Sequence, residues 1–244
     1  MTKSNVPTSS AQGASTPARS GAKEVSDFLA QVNAMKPVAA KEGERGRLIF
    51  AMDATMSRQP TWDRALQIQS EMFAETAKIG GLDVQLVFFR GFGECRSSKW
   101  VSHPEALAKL MTQVSVRGGN TQISKVLSHV LTEARAARVN ACVYVGDCME
   151  ENADALCAKA GEIGLLGVPV FLFQEGHDIA AERTFKEIAR LTRGAWCRFD
   201  QSSARQLKEL LAAVAVYAAG GRQALVEHAR DKGGGSTLLL EQLK

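Results

Sequence analysis

The chain has 244 residues, of which 45% are hydrophobic and 23% charged, and its formal net charge is +4. That length suits one well-buried domain with tails and is short for two. The first 47 residues carry seven basic and four acidic side chains and the other 197 carry 23 and 22, so the body is nearly neutral, unlike a dedicated nucleic-acid surface.

Residues 1–20 are mostly Ser, Thr, Ala and Pro, with no apolar signal-peptide core and the composition of a disordered tail. No stretch reaches the ~18 uninterrupted apolar residues of a membrane span. The five cysteines (Cys95, Cys142, Cys148, Cys157 and Cys197) are odd in number and contain no CxxC pair. This favours reduced thiols and a cytoplasmic setting over a disulfide framework or zinc ribbon. Cys142 and Cys197 lie in apolar runs, where a small buried hydrophobe is the expected role.

Val25, Phe28, Leu29, Val32 and Met35 recur at helical spacing within residues 22–36, a segment too short to fold alone. Residues 1–46 are therefore read as a tail with one amphipathic segment, able to serve as a docking motif. From Arg47 the chain alternates strand-like and helix-like segments. Residues 47–52 (RLIFAM) form an apolar run, as in a strand buried on both faces of a parallel sheet. A helix with Ala65, Ile68, Met72 and Ile79 on one face spans 62–79, and a second strand spans 83–89. The turn at Gly91-Phe92-Gly93 leads to a more polar antiparallel edge strand over 94–101, and Pro104 opens a helix to about Gln113.

The second half repeats the rhythm with helices over 123–137, 153–165, 180–191 and 204–218 and strands over 141–145, 168–173 and 196–199. This pattern predicts an α/β fold: a doubly wound, mainly parallel sheet of about six strands, helices on both faces, spanning 47–218. Residues 219–244 form a C-terminal tail in which Gly220-Gly221 ends the helix, another polar helical stretch follows, and Gly233-Gly234-Gly235 acts as a flexible hinge. The tail ends in the apolar cluster Leu238, Leu239, Leu240 and Leu243, open to packing in cis or docking in trans.

Ligands of open parallel sheets bind beyond the carboxyl ends of the strands. There the first strand runs into Asp53-Ala54-Thr55-Met56-Ser57, and the strand at 141–145 runs into Gly146-Asp147. Thr121 follows Gly118-Gly119-Asn120 at a helix start. Converging, these loops bring together two carboxylates and three hydroxyls, a hard oxygen set suited to Mg2+, with Mn2+ or Ca2+ as substitutes. Taken singly, Ser57 or Thr121 reads as a helix cap and Asp147 as a turn residue. Glu150 and Glu151 read as a charge pair at a helix N-terminus.

The order Asp53-x-Thr55-x-Ser57, Gly-Gly-x-Thr121, Gly146-Asp147 resembles the metal-ion-dependent adhesion site (MIDAS) of von Willebrand factor A (VWA) domains. Thr55 stands where that family mostly has Ser. Residues 185–194, FKEIARLTRG, resemble the family's late helix and Gly turn, and the resemblance covers about 47–217. It implies a cytoplasmic, bacterial-type VWA protein with a Rossmann-like fold. Thr55 and Ser57 would be direct metal ligands, with Asp53, Thr121 and Asp147 completing the shell. It also implies a coordination position open to a Glu or Asp of a protein partner, and partners such as chaperone-like ATPase complexes. The expected function is a non-enzymatic, metal-dependent adaptor module.

Two alternatives remain: a metal-dependent phosphate hydrolase and an RNA-associated protein of this fold. The hydrolase pattern needs a carboxylate two residues after Asp53, where Thr55 stands, and none of the four histidines lies near the motif loops. The RNA reading relies on a basic edge of Arg45, Arg47, Arg90, Arg96 and Lys99.

Overall fold

The computed structural model describes residues 45–77, 80–199 and 204–243. The amphipathic segment at 22–36, and Ile79 at the end of the expected first helix, lie outside them. The chain runs through β1 (Gly46–Asp53), a 3-10 turn (Met56–Arg58), α1 (Gln59–Thr76), β2 (Leu82–Arg90), β3 (Glu94–Ser97) and α2 (Pro104–Thr112). Next come α3 (Ile123–Ala136), β4 (Ala141–Gly146), α4 (Ala153–Leu165), β5 (Val170–Glu175), α5 (Ile179–Thr192), β6 (Ala195–Phe199), α6 (Ala204–Lys232) and α7 (Gly235–Leu240).

The six strands form one sheet in the order β3-β2-β1-β4-β5-β6. β1 pairs in parallel with β2 and β4, β4 with β5, and β5 with β6, whereas β3 runs antiparallel to β2. The doubly wound architecture follows from side-chain alternation along strands apolar on both faces. Leu48, Phe50 and Met52 of β1 pack with Trp62, Ala65 and Met72 of α1 and Leu210, Val214 and Ala218 of α6. Ile49 and Ala51 point to the opposite face, with Val126 and Val130 of α3, Leu156 of α4 and Phe185 of α5. Each fully buried side chain of this size contributes roughly 1.5–3 kcal/mol.

Two glycines set close approaches. A Cβ at Gly46 would lie 2.4 Å from the Ala218 carbonyl oxygen, so the start of β1 sits directly on α6. At the end of α5, Arg193 takes a left-handed φ of 55°, and a Cβ at Gly194 would lie 1.9 Å from the Val170 carbonyl oxygen. The Thr-Arg-Gly sequence there turns the chain straight into β6 against β5.

The C-terminal segment differs from the tethered tail expected from its glycines. α6 continues past Gly220 to Lys232, with one break at Gly221, which has φ 69° and ψ −164°. Gly233 and Gly234 turn the chain into α7, and Leu239 and Leu243 are buried in the core that covers β1 and α6. The Gln242 side chain accepts a 2.8 Å hydrogen bond from the Trp196 amide, so this segment also satisfies a donor on the outer strand β6. The physical reason is the apolar surface of α6 and the sheet, which the leucines cover within the same chain.

Replacing Leu239, which is fully buried, by Ala should therefore lower unfolding stability by about 2–4 kcal/mol in urea denaturation. Deleting residues 238–244 should lower it at least as much. An unchanged midpoint in both variants would contradict this packing.

Candidate functional site

The chain goes from β1 to β2 on one side and crosses to β4 on the other, so strand order reverses between β1 and β4. At such a reversal the connections diverge and leave a crevice at the carboxyl ends of the two strands. Asp53 is the last residue of β1, and Asp147 directly follows β4. Topology alone thus brings the two carboxylates to one place.

The loop after β1 is shaped by its own side chains. Asp53 Oδ1 accepts a 2.7 Å hydrogen bond from the Thr55 amide, an Asx-type turn that points the following residues upward. Thr55 Oγ1 and Ser57 Oγ lie 3.3 Å apart, and Ser57 donates to Asp147 Oδ2 at 3.2 Å. Asp53 forms the buried floor, 1% exposed, whereas Ser57 is exposed and Asp147 half-buried at the rim. Neither Thr55 nor Gln122 makes a side-chain cap at the helical turn it precedes.

Thr121 is buried but tied to a neighbouring loop. Its amide donates to the Glu150 carboxylate at 3.0 Å, and its Oγ1 accepts from the Glu150 amide at 3.1 Å. Glu150 and Glu151 do act as helix N-terminal charges, but for α3 rather than for the helix that follows them. Glu151 accepts from the amides of Ile123 and Ser124, two of the free donors at that terminus. Asn152 caps α4 instead, accepting from the Ala155 amide.

Sequence reading missed a second shell of charge under the site. Arg58, only 2% exposed, pairs with buried Glu175 at the end of β5 and lies 3.5 Å from Asp147 Oδ2. Thr61 joins them, accepting from Arg58 at 3.0 Å and donating to Glu175. Nothing local in the sequence connects residues 58 and 175. Glu175 nevertheless follows the rule that picked out Asp53 and Asp147, because it ends a parallel strand.

Burial is the main force on Asp53, pushing its carboxyl from 3.8 up to about 6; the Thr55 amide pulls it down, and the Asp147 charge adds a smaller upward push. The neighbouring Cys148 thiol is raised to about 12 by burial and by Asp147.

The donor set fits a hard divalent cation. Asp53 Oδ2 and Asp147 Oδ1 are buried and have no hydrogen-bond partner among the described residues, an arrangement that ordinarily carries a penalty. Two hydroxyls lie beside them, and oxygen donors of this kind are what Mg2+ selects. Among the described residues no group of three or more His, Cys, Asp or Glu is placed to hold a metal.

No family model and no curated protein matches the chain. Solved structures do match, and they define the class: the fold is that of von Willebrand factor A domains. A von Willebrand factor type A protein from Catenulispora acidiphila superposes with a TM-score of 0.59 at 14% identity, covering 71% of this chain and 43% of that one. The SpRpn10 VWA domain gives 0.54 at 11% identity, over 70% of this chain and 95% of that domain. Proximal thread matrix protein 1 from the mussel byssus, solved with a zinc-occupied MIDAS motif, gives 0.52 at 17% identity, over 72% and 49%. The chain thus spans less than half of the Catenulispora and byssus proteins.

Two predictions follow from the charges. Asp53 has a folded pKa above its unfolded value, so the folded state binds the extra proton between about pH 4 and 6. Stability therefore falls as pH rises through that window. In chelator, Asp53→Asn should raise stability at pH 7.5 by roughly 1–3 kcal/mol, and the gain should vanish below about pH 4. A pH-independent effect in thermal melts would exclude this origin. Arg58→Met should cost about 3–5 kcal/mol by leaving Glu175 buried without its cation, and a Glu175→Met second change should recover much of that.

Proposed function

We propose that the chain is a cation-dependent protein-docking module. A divalent cation, Mg2+ by preference, would be held by Asp53, Thr55, Ser57 and Asp147, with Thr121 completing the shell. The observation that carries this reading is the pair of buried, unpartnered carboxylate oxygens beside two hydroxyls at the switch point of the sheet. The bound cation would supply one Lewis-acidic coordination position for a Glu or Asp of a protein partner. With only two carboxylates in contact, and Asp147 partly offset by Arg58, the ion keeps its attraction for a third. The zinc-occupied MIDAS motif of a byssus protein with this fold supports the assignment.

Catalysis is no part of the proposal, because Thr55 stands where a hydrolase would need its second acid. The basic edge of the RNA reading is largely offset: Arg45 pairs with Asp83, Arg47 with Glu133, and Arg90 and Arg96 share Glu94, which leaves exposed Lys99 and one shared charge. No helix among the described residues is long and apolar enough to cross a membrane. All five cysteines are free thiols, which suits the cytoplasmic setting we propose. A chaperone-like ATPase complex remains a candidate source of the partner.

Calorimetric titration tests the site. Mg2+ or Mn2+ should bind at one site, bind at least tenfold more weakly to Ser57→Ala, and not bind to Asp53→Ala. Affinity should also fall below about pH 6, where a proton competes for Asp53. Equal binding by wild type and Asp53→Ala would end the proposal.

A further inference from the structure

The three most exposed large apolar side chains among the described residues are Phe92 (89%), Met56 (66%) and Ile179 (65%). All three sit in the connections that leave the carboxyl edge of the sheet, Met56 opening the 3-10 turn and Ile179 opening α5. Met56 follows β1 inside the candidate cation loop, Phe92 follows β2, and Ile179 follows β5. With β2, β1, β4 and β5 adjacent in that order, Phe92 and Ile179 flank the Asp53–Asp147 crevice on opposite sides. Three strand spacings separate their strands, roughly 14 Å.

Phe92 is exposed on a loop that is itself held firmly. The Gly91 carbonyl accepts hydrogen bonds from the Asn120 amide at 3.3 Å and from the Gln122 side chain at 3.4 Å. The Gly93 carbonyl accepts from Lys125 at 2.6 Å, and Arg90 is fixed by Glu94 and by the Ser115 carbonyl. Gly119 packs so tightly beneath this turn that a Cβ there would lie 2.1 Å from the Gly91 carbonyl oxygen. The turn is thus clamped to the segment that carries Thr121. An aromatic ring presented to solvent on a fixed support loses little conformational entropy on docking, as expected of an interface anchor.

We infer that Met56, Phe92 and Ile179 form an apolar rim around the candidate cation site, and that the rim docks a protein segment whose Asp or Glu is flanked on both sides by apolar side chains. This rests on the cation reading for the seat of the acidic residue, whereas the rim itself stands on exposure and topology. Charge favours a protein occupant over a bilayer. Exposed Arg117, whose amide is bonded to the Ala54 carbonyl in the cation loop, attracts an acidic segment. Exposed Glu150 and Asp178 on the same edge oppose the many charges of an anionic membrane surface, whereas a peptide need bring only the single carboxylate that the cation would take.

The test is selection from a displayed library of random 12-residue peptides with the full chain in Mg2+. Individual peptides are then titrated against wild type, Phe92→Ser and Asp53→Ala. Selected peptides should carry an acidic residue between apolar ones and bind Phe92→Ser about tenfold more weakly. Mg2+ binding and melting temperature of Phe92→Ser should match wild type. Peptides without apolar flanks, or equal affinity for Phe92→Ser, would overturn the inference. Phe92-dependent binding to phosphatidylserine/phosphatidylcholine vesicles, with no peptide selected, would overturn it in favour of a membrane. Peptide binding that needs Phe92 yet survives chelator and Asp53→Ala would uphold the rim and refute the cation reading alone.

Discussion

β1 lies between β2 and β4, hydrogen-bonded in parallel to both and buried on both faces, and the strand-end loops depend on that position. A strand so placed has no solvent face to spend on polar side chains, so its polar residues come at its two ends, Arg47 and Asp53. The chain can leave β1 toward only one neighbour, and the return to β4 on the other side opens the crevice. Asp53 and Asp147 meet there because of connectivity, without any sequence proximity. Their separation in the chain is bridged by a single hydroxyl, Ser57, which accompanies Thr55 on one side and donates to Asp147 on the other.

Two carboxylates brought together at a partly buried edge repel each other and lose hydration. Each usual remedy is visible. Asp53 is partly relieved by the Thr55 amide and by taking up a proton more readily than an exposed carboxylate does. Asp147 is relieved by the Arg58 guanidinium, which is itself kept in place by Glu175 and Thr61. The relief is incomplete, since one oxygen of each carboxylate keeps no hydrogen-bond partner among the described residues. Under the proposed function, a divalent cation would supply the missing complement to these two oxygens.

The fold was largely legible because its strands are short apolar runs at regular spacing, and their order forced a doubly wound sheet. The expected helix over 153–165 coincides with α4, and the structure shows Asn152 capping its start. Local signals failed where long-range packing decides. Gly233–Gly235 read as a hinge because glycine is flexible in isolation, yet the buried Leu239 and Leu243 fix the segment that follows them, whereas the helical stretch after Gly220-Gly221 is present beyond a break at Gly221. The motif residues at 53, 55, 57, 121 and 147 could be picked out because each follows a strand or opens a helix. Arg58 could not, because an arginine after a serine looks solvated until Glu175 is brought beneath it.

The same logic accounts for the partners of Thr121, which bonds through both its amide and its hydroxyl to Glu150. The loop after β4 spends Glu150 on Thr121 and Glu151 on the first amides of α3, so the β4 loop and the α3 terminus form one hydrogen-bonded unit. The β2–β3 turn is fastened to that unit through Gly91, Asn120 and Gln122. A helix dipole satisfied by Glu151 therefore helps to hold Phe92 at a fixed place beside the crevice. Charge below the site and apolar surface around it are thus properties of one rigid edge. A protein segment docking in the proposed way would meet the aromatic ring as well as the carboxylates.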